Sequence, residues 1–145
     1  MFKLIAVGRL KKSPHKELLD EYLKRIVTRF HLIELEQKHT PFEEAKEILK
    51  KYNESEYLIV LDERGADFRS IDFARKIEQL QMTGTSITFV IGGADGVTNE
   101  IRQRADLVMS FGKPTWPHML VRVMLVEQIY RAEQIIKRHP YHREG

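Results

Sequence analysis

The fold is indicated most directly by residues 87–96, which read ITFVIGGADG. Five β-branched or aromatic residues in a row, followed by two glycines, are typical of a strand that is buried on both faces and ends in a tight turn. Short segments of similar character predict four more strands, at Leu4–Val7, Leu32–Leu35, Tyr57–Leu61 and Leu107–Met109.

Helical patterns separate these strands, because apolar residues recur there at the spacing of a helix with one buried face. The predicted helices cover residues 16–30, 40–52 with Thr40 as N-cap, 70–80 with Ser70 as N-cap, a short segment after Thr98, and residues 117–138. This alternation predicts an α/β fold with a mostly parallel sheet flanked by helices. The length of 145 residues fits a single domain spanning 1–145.

The composition excludes several classes of site and of protein. The chain has no cysteine, which excludes a disulfide framework, a thiolate zinc site and a cysteine nucleophile. The histidines show no metal-like spacing, so no metal site is predicted. No apolar stretch approaches the roughly 20 residues of a membrane helix, and the first residues do not resemble a signal peptide. We therefore expect a cytoplasmic protein that does not bind membranes.

The positive charges are concentrated at the two ends of the chain. Residues 1–16 contain Lys3, Arg9, Lys11, Lys12 and Lys16 but no acid, and residues 131–143 are again rich in basic side chains. Two basic ends around a more acidic middle indicate an anionic partner, with nucleic acid as the first candidate. The alternative is a basic face that is merely solvated.

Ligands of parallel sheets bind where loops leave the carboxyl ends of the strands. The loop that follows Ile91 contains Gly92 and Gly93, which let the backbone approach a ligand closely. It lacks the spacing of a dinucleotide fingerprint and the Gly-Lys-Ser/Thr of a Walker loop, so an ordinary turn remains an alternative.

Residues 111–118, FGKPTWPH, form a second loop that two prolines make rigid. Such a loop can present its backbone to an adenine, although Trp116 is equally explained as a core anchor.

The last helix is apolar on almost all sides between residues 119 and 126, where Arg122 is the one polar residue. A helix of this kind must be covered on almost all sides, which predicts a homodimer. Glu127 and Arg131 follow on the same helix, either as an ion pair or as catalytic groups. The tail adds Tyr141, an unusual residue for a solvated terminus because it can stack on bases.

The chain carries six motifs that are specific only in combination: AVGRLK at 6–11, LDxxG at 61–65, VIGGxxG at 90–96, TWPH at 115–118, RV with EQxYRA at 122–132, and YHRE at 141–144. Together, and over nearly the whole chain, they resemble the ribosomal RNA large-subunit methyltransferase H family, a minimal member of the SPOUT class. The resemblance implies a C-terminal trefoil knot, an exception to the rule that protein chains are unknotted.

The resemblance also implies an activity and a cofactor. The family binds S-adenosyl-L-methionine in a bent form inside the knot, acts as a homodimer, and methylates N3 of a pseudouridine in helix 69 of 23S rRNA on the assembled ribosome. The cofactor contacts that it implies here are Leu61, Gly92, Phe111, Gly112, Lys113, Pro114, Thr115 and Trp116.

The tail is the candidate for proton chemistry, because N3 of a pseudouridine carries a proton that must be removed. His142 can accept a proton near neutral pH, and Arg143 can stabilise negative charge or hold a phosphate. We hypothesise that the tail of one subunit completes the pocket of the other. Two alternatives stay open, a Rossmann-like nucleotide-binding protein and a non-catalytic ribosome-associated RNA-binding module. The expected RNA contacts are Lys3, Arg9, Lys11, Lys12 and Tyr141.

Overall fold

The computed structural model describes residues 1–143 and contains a five-stranded sheet in which every pairing is parallel. The strand order is β2-β1-β4-β3-β5. This confirms the predicted parallel α/β sheet; the knot stays a prediction. The elements are β1 (Phe2–Val7), α1 (Pro14–Arg25), β2 (Phe30–Leu35), α2 (Pro41–Lys51), β3 (Tyr57–Asp67), α3 (Ser70–Met82), β4 (Ile87–Ile91), α4 (Asn99–Arg104), β5 (Leu107–Ser110) and α5 (His118–Ile136).

The sheet has a separate apolar core on each face. Along β1, Leu4 and Ala6 belong to the core under α1, α3 and α5, whereas Ile5 and Val7 belong to the core under α2 and α4. This division follows from the alternation of side chains along a strand. Of the described residues 1–143, no helix combines the length and the apolar character needed to cross a membrane.

The first helix ends earlier than its apolar pattern predicts. It stops at Arg25, Val27 is 72% exposed, and Phe30 begins β2 instead of extending the helix. A distant side chain accounts for the difference: the buried carboxylate of Glu133 accepts hydrogen bonds from the backbone N–H groups of Val27 at 3.0 Å and Thr28 at 2.9 Å. Both N–H groups therefore have hydrogen-bond partners although the helix does not continue to them.

The third strand is longer than predicted. The sequence predicts a strand from Tyr57 to Leu61, but after a register shift between Leu61 and Ala66 the strand pairs with β5 again and continues to Asp67. The renewed pairing of β3 with β5 depends on Gly65, where a Cβ would lie 2.6 Å from the backbone nitrogen of Met109. Only a residue without a side chain allows the two backbones to come this close.

The predicted helix caps are correct at two of three positions. The Thr40 and Thr98 side chains accept the N–H groups of Glu43 and Ile101. Ser70 is instead the first residue of α3, and its hydroxyl donates to Gln128 Oε1 at 2.7 Å. The N-cap position belongs to Arg69, which makes no side-chain capping bond.

The last helix is largely covered by its own chain. Val123, Leu125, Val126 and Ile129 are buried in the core shared with α1 and α3. Arg122, fully buried, pairs with the Glu34 carboxylate at 2.8 Å. The apolar character of α5 therefore does not by itself require a second subunit, and the homodimer stays a prediction.

Candidate functional site

A cavity of about 780 Å³ opens beside residues 61–64 of β3 and the carboxyl ends of β4 and β5. Ligand sites commonly have volumes of roughly 300–1,000 Å³. Seven of the eight residues expected to contact a cofactor line it: Leu61, Gly92, Phe111, Gly112, Pro114, Thr115 and Trp116. Lys113 is exposed and is not among the described residues that line the cavity. Leu61 and the two loops that follow β4 and β5, all singled out in the sequence, thus line one cavity.

The glycine turn after β4 forms one wall of the cavity. The Gly96 N–H donates to the Gly93 carbonyl at 3.0 Å, which closes the turn. A Cβ at Gly92 would lie 2.6 Å from the Gly96 carbonyl oxygen, so the turn closes this tightly only with glycine at that position. The segment is both a tight turn and a wall of the pocket, which reconciles the two interpretations of its sequence.

The loop after β5 is held in shape by its own side chains. Trp116 Nε1 donates to the Phe111 carbonyl at 3.1 Å, and the Thr115 hydroxyl donates to the Glu63 carboxylate. The Gly112 N–H donates to Ser110 Oγ at 3.3 Å. Trp116 is 40% exposed, so its interpretation as a core anchor is wrong. Its role is to close the loop at the rim of the cavity.

Several charged residues of the cavity were missed in the sequence. Asp62 Oδ2 pairs with Arg102 NH1 at 3.2 Å, which joins β3 to α4. Asp62 and Glu63 directly follow Leu61, so their position after a strand end was the available clue.

His118, at the start of α5, also lines the cavity. Burial lowers the pKa of its imidazole, and the charge of Arg122 lowers it further. Its Nε2 is buried and has no hydrogen-bond partner among residues 1–143. The imidazole is therefore held in its neutral form beside the pocket.

The tail folds back onto α5 of the same chain. The Tyr141 hydroxyl donates to Glu127 Oε2 at 3.0 Å, and the Tyr141 ring meets Tyr130 edge-on with 4.8 Å between centroids. Arg131 pairs with Glu127 at 2.8 Å and lies 3.1 Å from His142 Nδ1. The ion-pair interpretation of Glu127 and Arg131 is thus confirmed, and the pair also holds the tail. Arg143 is exposed, whereas Glu144 of the YHRE motif lies outside the described residues.

The basic residues expected to contact RNA fall into two places. Arg9, Lys11 and Lys12 are exposed and follow β1, at the same edge of the sheet as the cavity. Lys3 lies at the opposite end of β1, with its ammonium 2.9 Å from the Glu56 carboxylate. The charge of Lys3 is already paired and its side chain is only 13% exposed. Lys3 is therefore not expected to contact an RNA phosphate.

Comparison with known protein families shows to which family this chain is similar. The family model described as "Predicted SPOUT methyltransferase" matches residues 1–142. The chain belongs to this family. Curated SPOUT relatives named ribosomal RNA large subunit methyltransferase H include one from Rhodospirillum centenum, 46% identical over 97% of both chains. Another, from Zymomonas mobilis, is 43% identical over 98% of this chain and 97% of the relative.

Solved structures support the SPOUT fold at much lower identity. A probable methylase family protein from Haemophilus influenzae Rd KW20 superposes with a TM-score of 0.60 at 10% identity, covering 99% of this chain and 70% of that one. A ribosomal RNA small subunit methyltransferase E from Neisseria gonorrhoeae gives 0.51 at 14% identity, covering 93% and 65%. At such identities the likeness concerns the fold alone.

Proposed function

We propose that this SPOUT methyltransferase transfers a methyl group from S-adenosyl-L-methionine to N3 of a pseudouridine in helix 69 of 23S rRNA, within the assembled ribosome. The observation that carries the proposal is the cavity beside β3, β4 and β5, which is lined by residues that match the family's cofactor motifs. Relatives that match over nearly their whole length are named as methyltransferases of large-subunit ribosomal RNA.

The residues of the cavity fit S-adenosylmethionine. Its walls combine apolar side chains such as Leu61, Ile91 and Val121 with backbone groups of the two loops, which suits an adenine ring. The carboxylates of Asp62 and Asp95 supply acceptors for ribose hydroxyls. When bound, the cofactor supplies an electrophilic methyl group. Lys113 contributes at most its backbone, because its side chain does not line the cavity.

The chain's own residues then have to align the RNA base and manage one proton. We assign removal of the N3 proton to His142 and stabilisation of the resulting negative charge to Arg143. Arg9, Lys11, Lys12 and Tyr141 are assigned to RNA binding. The Rossmann-like alternative is not supported, because the glycines follow β4 and lack the required spacing. The non-catalytic module remains the rival that experiment must exclude.

The same proposal includes the assembly and the topology. Residues 1–145 form one methyltransferase domain with a C-terminal trefoil knot, in a cytoplasmic homodimer without metal. Half-buried apolar residues on α5, among them Leu120 and Met124, offer a surface for a second copy. Arg143, exposed at the end of the described chain, is free to reach the pocket of a partner subunit.

The function is tested by mass spectrometry of helix 69 from unmodified ribosomes incubated with the protein and S-adenosylmethionine. One added methyl group at the pseudouridine is expected, and none without cofactor. Binding of ribosomes without cofactor binding or methylation would instead support the non-catalytic module.

Replacing Gly92 with alanine is expected to weaken S-adenosylmethionine binding at least about tenfold, because the added methyl group forces the glycine turn open. Titration calorimetry measures the effect, with thermal unfolding as a check on folding. Gly84→Ala is the control outside the cavity: at its φ of +70° an alanine strains the backbone, but a Cβ there meets nothing within 4 Å. Equal affinity of wild type and Gly92→Ala would remove this turn from the cofactor site.

Replacing Arg9, Lys11 and Lys12 together with alanine is expected to weaken ribosome binding and to flatten its salt dependence. Each lost phosphate contact lowers the slope of log K against log [salt] by roughly 0.7–0.9, so a change of about 2–3 is expected. Binding is measured from 50 to 200 mM salt, a range over which this term is large. The triple variant Lys46→Ala, Lys50→Ala and Lys51→Ala on α2 removes the same charge elsewhere and should keep the wild-type slope.

A further inference from the structure

A second, smaller cavity of about 290 Å³ adjoins the cofactor pocket and shares residues 109–112 with it. Its other walls come from the start of α3 and from α5, including Phe68, Ser70, Phe73 and Gln128. The volume falls just below the range of about 300–1,000 Å³ typical of drug-sized ligands, which suits a smaller ring.

The chemistry of this second cavity suits a neutral planar group. Among the described residues that line it, Asp67 is the one charged side chain and there is no cation, so a phosphate is not favoured. Phe68 is 40% exposed and lines this cavity, so part of its ring is accessible to a ligand there. Exposed aromatic rings of this kind are the usual stacking surface for unpaired RNA bases.

The polar groups of the cavity are fixed in orientation. Gln128 Oε1 accepts from the Ser70 hydroxyl at 2.7 Å, and Gln128 Nε2 donates to Glu127 Oε1 at 3.1 Å. Because a carboxylate can only accept, Glu127 determines which end of the amide is the donor. The amide keeps one acceptor position and one N–H beyond these bonds. A pyrimidine edge, with a carbonyl next to an N–H, complements that pair.

The second cavity is also connected to the cofactor pocket and to the tail that carries His142. Through Ser110, Phe111 and Gly112 it borders the pocket assigned to the cofactor. Through Gln128 and Glu127 it is linked by hydrogen bonds to the cluster that holds His142. A group placed there borders the pocket assigned to the cofactor, and hydrogen bonds connect the residues around it to the tail of the same chain.

We propose that this second cavity binds the methyl-accepting nucleobase, with Phe68 stacking on the ring and Ser70 and Gln128 holding its polar edge. The inference rests on the proposed function and adds to it the position of the RNA base. Binding an unstacked base in a pocket of aromatic and amide groups is the general solution for proteins that act on single bases.

The test compares paired variants in methylation of unmodified ribosomes at saturating cofactor. Phe68→Ala is expected to lower kcat/KM roughly 5- to 100-fold, whereas Phe68→Trp, which keeps a stacking surface, restores it to within about threefold of wild type. Ser70→Ala should lower it about 3- to 10-fold, and Ser70→Thr, which keeps the hydroxyl, much less. Phe42→Ala is the matched control, because Phe42 is 74% exposed and lines neither cavity.

Cofactor affinity, measured by calorimetry on the same variants, separates the outcomes. An unchanged Kd for S-adenosylmethionine together with the losses above supports the base site. Wild-type rates in Phe68→Ala and Ser70→Ala would overturn it, and so would a parallel loss of cofactor binding, which would assign the cavity to the cofactor. A wild-type protein that binds cofactor but leaves helix 69 unmethylated would reject the proposed function and, with it, this inference.

Discussion

Deletion of residues 141–145 is expected to lower the methylation rate by roughly 10²–10⁴-fold while leaving cofactor affinity unchanged, because the deletion removes the group assigned to proton transfer. The affinity is expected to survive because none of the described tail residues lines the cofactor cavity. The measurements are single-turnover methylation of helix 69 and calorimetry with S-adenosylmethionine. Full activity of the truncated protein would show that the tail has no part in the chemistry.

The loss must be distinguished from damage to α5, since Tyr141 packs on Tyr130 and donates to Glu127. An aromatic pair contributes about 0.5–1.5 kcal/mol, so the truncated protein should unfold only a few degrees below wild type. The single variant His142→Ala should reproduce most of the kinetic loss with an even smaller change in stability. His39→Ala, at an exposed histidine outside the tail, should leave both unchanged.

Replacement of Arg122 with methionine is expected to destabilise the protein by about 3–5 kcal/mol, the usual cost of breaking a buried ion pair from one side. Burial lowers the pKa of the Arg122 guanidinium while Glu34 opposes the shift, so the buried cation depends on its carboxylate partner. Its NH2 group also donates to the carbonyls of Val7 at 3.2 Å and Gly8 at 3.0 Å, and methionine removes both hydrogen bonds.

The measurement is urea unfolding followed by circular dichroism, with the slope m checked for two-state behaviour. Glu34→Gln is the matched variant from the other side of the pair. It keeps an acceptor for the Leu10 N–H and for Arg122 but removes the counter-charge of the buried cation. Because the side chain of Glu34 is 28% exposed, a loss of about 1.5–3 kcal/mol is expected, smaller than that of Arg122→Met. Equal losses in the two variants would show that the backbone carbonyls contribute little to the stabilisation by Arg122.

The order and kind of the elements could be predicted because each depends on nearby residues. The uninterrupted run before Gly92 gave β4 correctly from Ile87 to Ile91. Thr40 and Thr98 were identified as caps because a cap bonds to an N–H three residues away. The cofactor cavity was also accessible to this reasoning, since parallel strands bring their carboxyl ends to one edge.

What could not be predicted depends on residues that are distant in the chain. Nothing near Thr28 indicates that its N–H will bind Glu133, so helix α1 was predicted to be too long. Ser70 has the character of a cap, but its hydroxyl finds Gln128 instead. The extension of β3 past Leu61 requires β5 as a partner, and the sequence of β3 alone gives no indication of it.

The contacts of Arg122 and Glu133 also affect how this protein folds. They join the last helix to residues 7 and 8 and to residue 28, across separations of 115, 114 and 105 positions. The core on this face of the sheet stays incomplete until α5 docks, because Val123, Leu125 and Val126 fill it. Contacts this distant slow folding, since the chain must close a long loop before it gains their energy. The docking of α5 therefore completes this core and belongs to the slow part of folding.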